Sequence, residues 1–161
     1  MSQYAHLLAA LCEKPSLDLH LLDEAMAALE LDGRELFIHP ARDSHPAEPP
    51  HGLEITVTVM HRPMPGDEDD VEALLILHRL NALSLGVHRW RVGVDEEGLV
   101  SLRQRVTVES LSPDDLEALM IDGVDRAAIV EALLQEQLGP PVLAEQALSL
   151  RDLLAGSFIK G

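Results

Sequence analysis

Apolar and polar positions along this chain change period several times, and each change marks an element. Tyr4, Leu7, Leu8, Leu11 and Cys12 recur at helical spacing, so a short amphipathic helix opens the chain and Pro15 ends it. Leu17, Leu19 and Leu21 alternate with polar residues and read as an extended segment. Met26 to Leu31 and Arg34 to His39 flank Asp32-Gly33, a two-residue turn whose central positions both need positive φ, and so predict a β-hairpin. Pro40, Pro46, Pro49 and Pro50 mark residues 40–52 as a loop inserted between strands. Leu53, Ile55, Val57 and Val59 then alternate with Glu54, Thr56 and Thr58 as a half-buried strand, closed by Pro63, Pro65 and Gly66.

A leucine-dense helix follows, and it is apolar on nearly every side. Val71, Leu74, Leu75 and Ala82 line one side, and Ala73, Leu77, Leu80 and Ser84 line another. Asp67 to Asp70 precede it, where carboxylates favour the positive end of the helix dipole. Covering a sheet takes one apolar stripe, so the second must be buried against something else, most simply another copy of the chain. A core helix in a monomer is the other reading. Asn81 interrupts the surface, either capping a backbone group or pairing across a two-fold axis.

Beyond Gly86, Trp90, Val92 and Val94 alternate with Arg89 and Arg91, a turn runs from Asp95 to Gly98, and Val100, Leu102, Val106 and Val108 continue the meander. Ser112-Pro113-Asp114-Asp115 starts the last long helix with a cap, a proline at the first position and an acid at the third. Leu116, Met120, Gly123, Ala127, Val130 and Leu134 form its inner face. Gly139-Pro140-Pro141 stops it. The remaining residues repeat helical spacing through Leu143, Ala147, Leu150 and Leu154, an amphipathic segment that packs on its own domain or docks elsewhere. The expectation is an α+β fold of order α-β-β-β-α-β-β-α, a strongly twisted antiparallel sheet packed on helices. One domain spans residues 1–138, and 139–161 form an added C-terminal tail.

Composition narrows the function. The 161 residues are 47% hydrophobic but only 2% aromatic, so contact surfaces work by aliphatic area and shape rather than by stacking. The formal charge of −16, from 28 acidic against 12 basic residues, repels polyanions, so neither nucleic acid nor an anionic membrane is an expected partner. Cys12 is the only cysteine, which excludes an internal disulfide and fits a reducing compartment. The N-terminus lacks a signal peptide's pattern and no apolar run is long enough for membrane insertion, so the expected place is the bacterial cytoplasm.

Chemistry-bearing patterns are sparse. His39, His45 and His51 surround the Pro-rich loop without metal-ligand spacing, and the acids from Asp67 to Asp70 lack the spaced oxygens and glycine of a calcium loop. Cys12 reads as a small core residue with no partnering base near it in sequence. No catalytic, metal or cofactor-binding residue is expected, and the chain does not read as an enzyme. Were it one without a recognisable motif, Glu54 or Asp95 would be its acid or base.

The residues from Ala73 to Leu138 carry a resemblance. Leu74 to Asn81, the hairpin Trp90-Arg91-Val92-Gly93-Val94-Asp95-Glu96-Glu97-Gly98-Leu99-Val100, and Leu102 to Val106 leading into Leu111 and Asp114-Asp115-Leu116-Glu117 are similar to the class I type III secretion chaperones. Met26 to Phe37 looks like that family's first hairpin, and Leu7 to Glu13 like its first helix. The resemblance covers about residues 4 to 138, with the 40–52 insertion and the tail as departures.

It implies a homodimer that holds the N-terminal, non-globular segment of one or more secreted effectors soluble and export-competent, with an export-apparatus ATPase as a further partner. It implies partner binding at Leu7, Leu8, Leu11, Leu29, Leu31 and Phe37, of which the first-helix leucines and Phe37 read equally well as plain core, and a dimer interface at Leu74, Leu77, Leu80, Asn81 and Trp90. A regulatory module of the same fold, sequestering a protein partner, is the alternative.

Overall fold

The structure is a computed structural model and describes residues 3–22, 26–41, 52–61, 68–84, 89–95 and 98–138. The Pro-rich loop between residues 42 and 51 and the tail 139–161 lie outside the described residues. Three α-helices, α1 (Gln3–Cys12), α2 (Glu68–Ser84) and α3 (Pro113–Leu138), accompany six strands: β1 (His20–Leu21), β2 (Ala27–Leu31), β3 (Arg34–Pro40), β4 (Gly52–His61), β5 (Arg91–Val94) and β6 (Leu99–Thr107). All strand pairs are antiparallel, in the order β1-β2-β3-β4-β6-β5. The expected α+β architecture is present, with one addition. The extended segment around Leu19 pairs with β2 as a two-residue strand, so the sheet gains a short outermost member.

Local chemistry explains the turns and helix starts. Asp32 and Gly33 have φ of 49° and 74°, the left-handed pair that a two-residue hairpin demands. Gly98 also has positive φ, 84°, and the turn is tied by Asp95, whose Oδ1 accepts the Leu99 N–H at 2.9 Å. At the head of α3, Ser112 Oγ accepts the Asp115 N–H at 3.1 Å while Asp115 Oδ2 accepts the Ser112 N–H at 3.1 Å, a reciprocal cap that satisfies two orphan donors. Of the acidic run, Glu68, Asp69 and Asp70 lie in the first turn of α2, which begins at Glu68, and Asp67 lies outside the described residues.

Register places the core on one sheet face. Leu36 lies opposite Val57, Ile38 opposite Ile55, and Val57 opposite Leu102, and all are buried with α3's Leu116, Met120, Ala127, Val130 and Leu134. A register irregularity between Thr58 and Met60 lets Val57, Val59 and Met60 all join that core. Arg34 ties the hairpin to α3, donating to Val59 O at 2.8 Å and pairing with Glu131 at 2.5 Å. The six positions expected on α3's inner face are all buried. Cys12 differs from expectation, because α1 stops there and its side chain lies exposed beyond the Tyr4, Leu7, Leu8 and Leu11 face.

Candidate partner-binding surfaces

The β5 end of the sheet is closed by side chains. Asn81 on α2 donates from Nδ2 to Val92 O at 2.7 Å and accepts the Val92 N–H on Oδ1 at 2.8 Å. Its amide thus makes the pair of bonds that a neighbouring strand would make, and of the two readings for Asn81 it is the backbone cap that the structure contains. Trp90, just before β5, is 4% exposed, and its Nε1 donates to Asp122 Oδ2 on α3 at 2.8 Å. The same carboxylate accepts from Arg126 Nε at 2.8 Å. The indole lies so close to Gly123 that a Cβ there would stand 2.6 Å from the ring.

These contacts sort the five residues assigned to a dimer interface. Leu77 and Trp90 sit in the protomer's own core, Leu80 packs half-buried against it, and Asn81 is engaged with Val92. Leu74 is 48% exposed and forms an open aliphatic stripe with Val71 at 60% and Leu75 at 50%. Of the two stripes legible in α2, the one containing Ala73 and Leu77 faces inward and the one containing Val71, Leu74 and Leu75 faces outward. On α3, Ile121, Ile129 and Leu133 are also exposed.

The residues assigned to partner binding lie mostly inside. Leu7, Leu8, Leu11 and Leu29 are core, Leu31 is half-buried against it, and Phe37 is buried on the opposite sheet face, across from Ala28 and Thr56. Exposed apolar area nearby comes instead from Leu21, at 56%, and Leu22. Beside them a cleft of about 150 Å³ is lined by Asp18, His20, Ala28, Leu29, Glu30, Glu35 and Phe37. Leu29 and Phe37 both border this cleft although their side chains lie on opposite sheet faces, whereas the α1 leucines do not line it. Sequence reading passed over Asp18, Glu30 and Glu35, although the symmetric placing of the two glutamates about Asp32-Gly33 was a signal, since the hairpin makes them direct cross-strand partners.

Polar groups elsewhere have structural employment. Glu54 is buried and accepts from Arg105 Nε at 2.8 Å, with His39 Nε2 at 3.7 Å. Lys14 joins α1 to α3 through Asp114 and Glu117, and Ser16 Oγ donates to Glu117 at 3.1 Å. The Asp114 and then the Glu117 carboxylate raise the Lys14 pKa, while Lys14 and then Ser16 hold the Glu117 carboxyl below its ordinary value. Hydrogen bonds from Ser112 lower Asp115 in the same way. Among the described residues no group of three or more His, Cys, Asp or Glu is placed to hold a metal ion, and no helix is long and apolar enough to cross a membrane.

No family profile and no curated protein matches this sequence. Solved structures do match in fold. One chain of the ExsC–ExsE complex aligns with a TM-score of 0.59 at 21% identity, over 88% of this chain and 93% of that one. The Yersinia pestis type III secretion chaperone SycH, in complex with a stable fragment of YscM2, aligns at 0.55 and 16% identity, over 78% of this chain and 98% of the matched one. A chain of the HopA1–SchA chaperone–effector complex aligns at 0.52 and 17% identity, over 81% and 91%. Helix order, sheet topology and these superpositions agree that the chain has the fold of the class I type III secretion chaperones.

Proposed function

We propose that this protein is a non-enzymatic chaperone of type III secretion, which binds the non-globular N-terminal segment of one or more effectors and keeps it soluble for export. The observation that carries this reading is a chaperone fold whose aliphatic surface is not all used internally, since Val71, Leu74, Leu75, Leu21 and Leu22 remain outside. Two copies joined through the outer stripe of α2 form the working unit. Val71, Leu74 and Leu75 are each about half exposed in the single chain, so covering a mirrored set of three contributes roughly half of the 1.5 to 3 kcal/mol that each fully buried side chain supplies toward the ordering cost of a dimer. The client segment occupies surface that remains after dimerisation, and the export-apparatus ATPase is the partner that receives it.

Pull-down of the full chain from its native host, with mass spectrometry and limited proteolysis, tests the reading. A secreted polypeptide should co-purify, with its bound part protease-sensitive after separation. Capture of only folded domains, or of no polypeptide, would refute it. Leu75→Glu should convert a dimer to a monomer in light scattering while changing protomer stability by no more than about 0.5 kcal/mol, because the side chain is solvent-facing in the single chain. An unchanged molar mass would remove α2 as the seam.

A further inference from the structure

We infer that residues 142–158 fold back as a helix antiparallel to α3 and cover its solvent side, which makes the C-terminal segment a docked part of this protein. The inference stands apart from the chaperone reading and concerns a surface that reading leaves unused. It begins with the two sides of one helix. The inner face of α3 meets the core through Leu116, Met120, Ala127, Val130 and Leu134, and one apolar stripe is all that such a helix needs. Ile121, Ala128, Ile129, Ala132 and Leu133 nevertheless form a second stripe on the opposite side, all exposed, with Ile129 at 60% and Ile121 at 48%. Their spacing is that of a helix-packing seam, and the two alanines let a second backbone approach to the roughly 8 to 10 Å of packed helices.

Length and position name the occupant. α3 ends at Leu138, just beyond Leu133, and residues 139–161 continue from that end of the stripe. Gly139 suits the left-handed position that reverses a chain after a helix, and Pro141 suits the first position of a following one. A link this short is what joins antiparallel helices. Leu143, Ala147, Leu150, Leu154 and Phe158 then repeat at helical spacing over about 22 Å, against about 18 Å from Ile121 to Leu133. Folded back about Pro140, Ala147 would face Leu133, Leu150 would face Ile129, and Phe158 would face Ile121.

Charge supports the same alignment. Asp125 lies exposed in the middle of the α3 stripe, a carboxylate among aliphatic neighbours. The antiparallel register would bring it Arg151, the one cation between Leu143 and Phe158. Tethering favours this occupant over any other, since a short link holds the segment at an effective concentration of about millimolar. A second copy or a client would have to displace it to reach this face.

The test uses the full-length chain carrying Ala132→Cys in a Cys12→Ser background, with the rate of alkylation by N-ethylmaleimide as the readout. Covered by the segment, the thiol at position 132 should react about tenfold more slowly than in the same chain bearing Leu150→Asp and Leu154→Asp, which undo the apolar seam. Cys12 of the otherwise unaltered chain, exposed at the end of α1, should react at one rate with or without the two aspartates. Arg151→Asp or Asp125→Arg alone should each speed the reaction at position 132, and the two together should restore protection. This exchange keeps every leucine, so it decides the matter even where the double aspartate variant fails to fold.

Equal rates at position 132 with the intact and the aspartate-bearing segment would overturn the inference, and so would an exchanged charge pair that leaves the thiol unprotected. Protection that weakens on dilution would assign the stripe to a contact between copies, and protection that vanishes when a co-purified polypeptide is removed would assign it to a client. Either result also overturns the inference.

Discussion

The two ends of this one sheet are built on different physics. At the β5 end, Trp90 fills the space above Gly123, Asp122 receives its indole N–H, and Asn81 stands in for a neighbouring strand. At the β1 end, a two-residue strand leaves Leu21 and Leu22 outside, and the chain leading into it is held by surface ion pairs from Lys14 to Asp114 and Glu117. A closed edge protects against unwanted strand pairing. An open edge is a liability, and a short strand with charged neighbours limits it.

The contrast can be broken most severely at the packed end. Trp90→Ala should cost about 3 to 5 kcal/mol in urea unfolding, because a large buried side chain leaves a cavity. Gly123→Ala should cost about 1 to 3 kcal/mol by overpacking against the ring, partly offset by alanine's higher helix propensity. The double variant should be less damaged than the sum of the two. Strict additivity would mean the close approach of indole and glycine is not a real constraint.

Asn81→Ala comes next. It strands the N–H and C=O of Val92, for about 1 to 3 kcal/mol, and reopens the β5 edge, so sedimentation should show self-association that rises with concentration. A variant as stable and as monodisperse as the parent would show that the amide does not seal that edge.

The smallest effect belongs to the β1 side and is read through pH. Glu117 is held below its ordinary 4.5 by Lys14 and Ser16, and Asp115 below 3.8 by Ser112. A lowered folded-state pKa gives stability that is complete above the ordinary value and is lost as pH falls through the folded one. The acid limb should therefore begin below about pH 4.5, and Glu117→Gln should flatten it. Lys14, raised above 10.5, works in the opposite direction, and its contribution disappears only as pH rises through the elevated value. Denaturation midpoints across the acid range check the first statement, and an unaltered acid limb in Glu117→Gln would refute it.

Legibility in the sequence followed the reach of the interactions. Asp32-Gly33 announces its turn because the left-handed dihedrals involve only those two residues. Ser112 and Asp115 announce the head of α3 because their bonds span three residues, and α3's inner face is readable because one helix repeats one period. The candidate surfaces were less legible. Leu7, Leu11 and Phe37 are aliphatic or aromatic wherever they point, and burial is a property of what lies opposite them. Trp90 reads equally as interface or core until α3, 32 residues on, supplies Asp122 and Gly123.

Pattern along the chain was enough to establish the kinds of element, their order, and the presence of two apolar stripes on α2. Which stripe meets the sheet, which sheet edge Asn81 closes, and which carboxylates gather at the other edge were settled only when distant segments came into register. A side chain's period reports its own helix or strand, whereas its neighbours across the fold are chosen by packing and hydrogen bonding between segments that no local pattern contains.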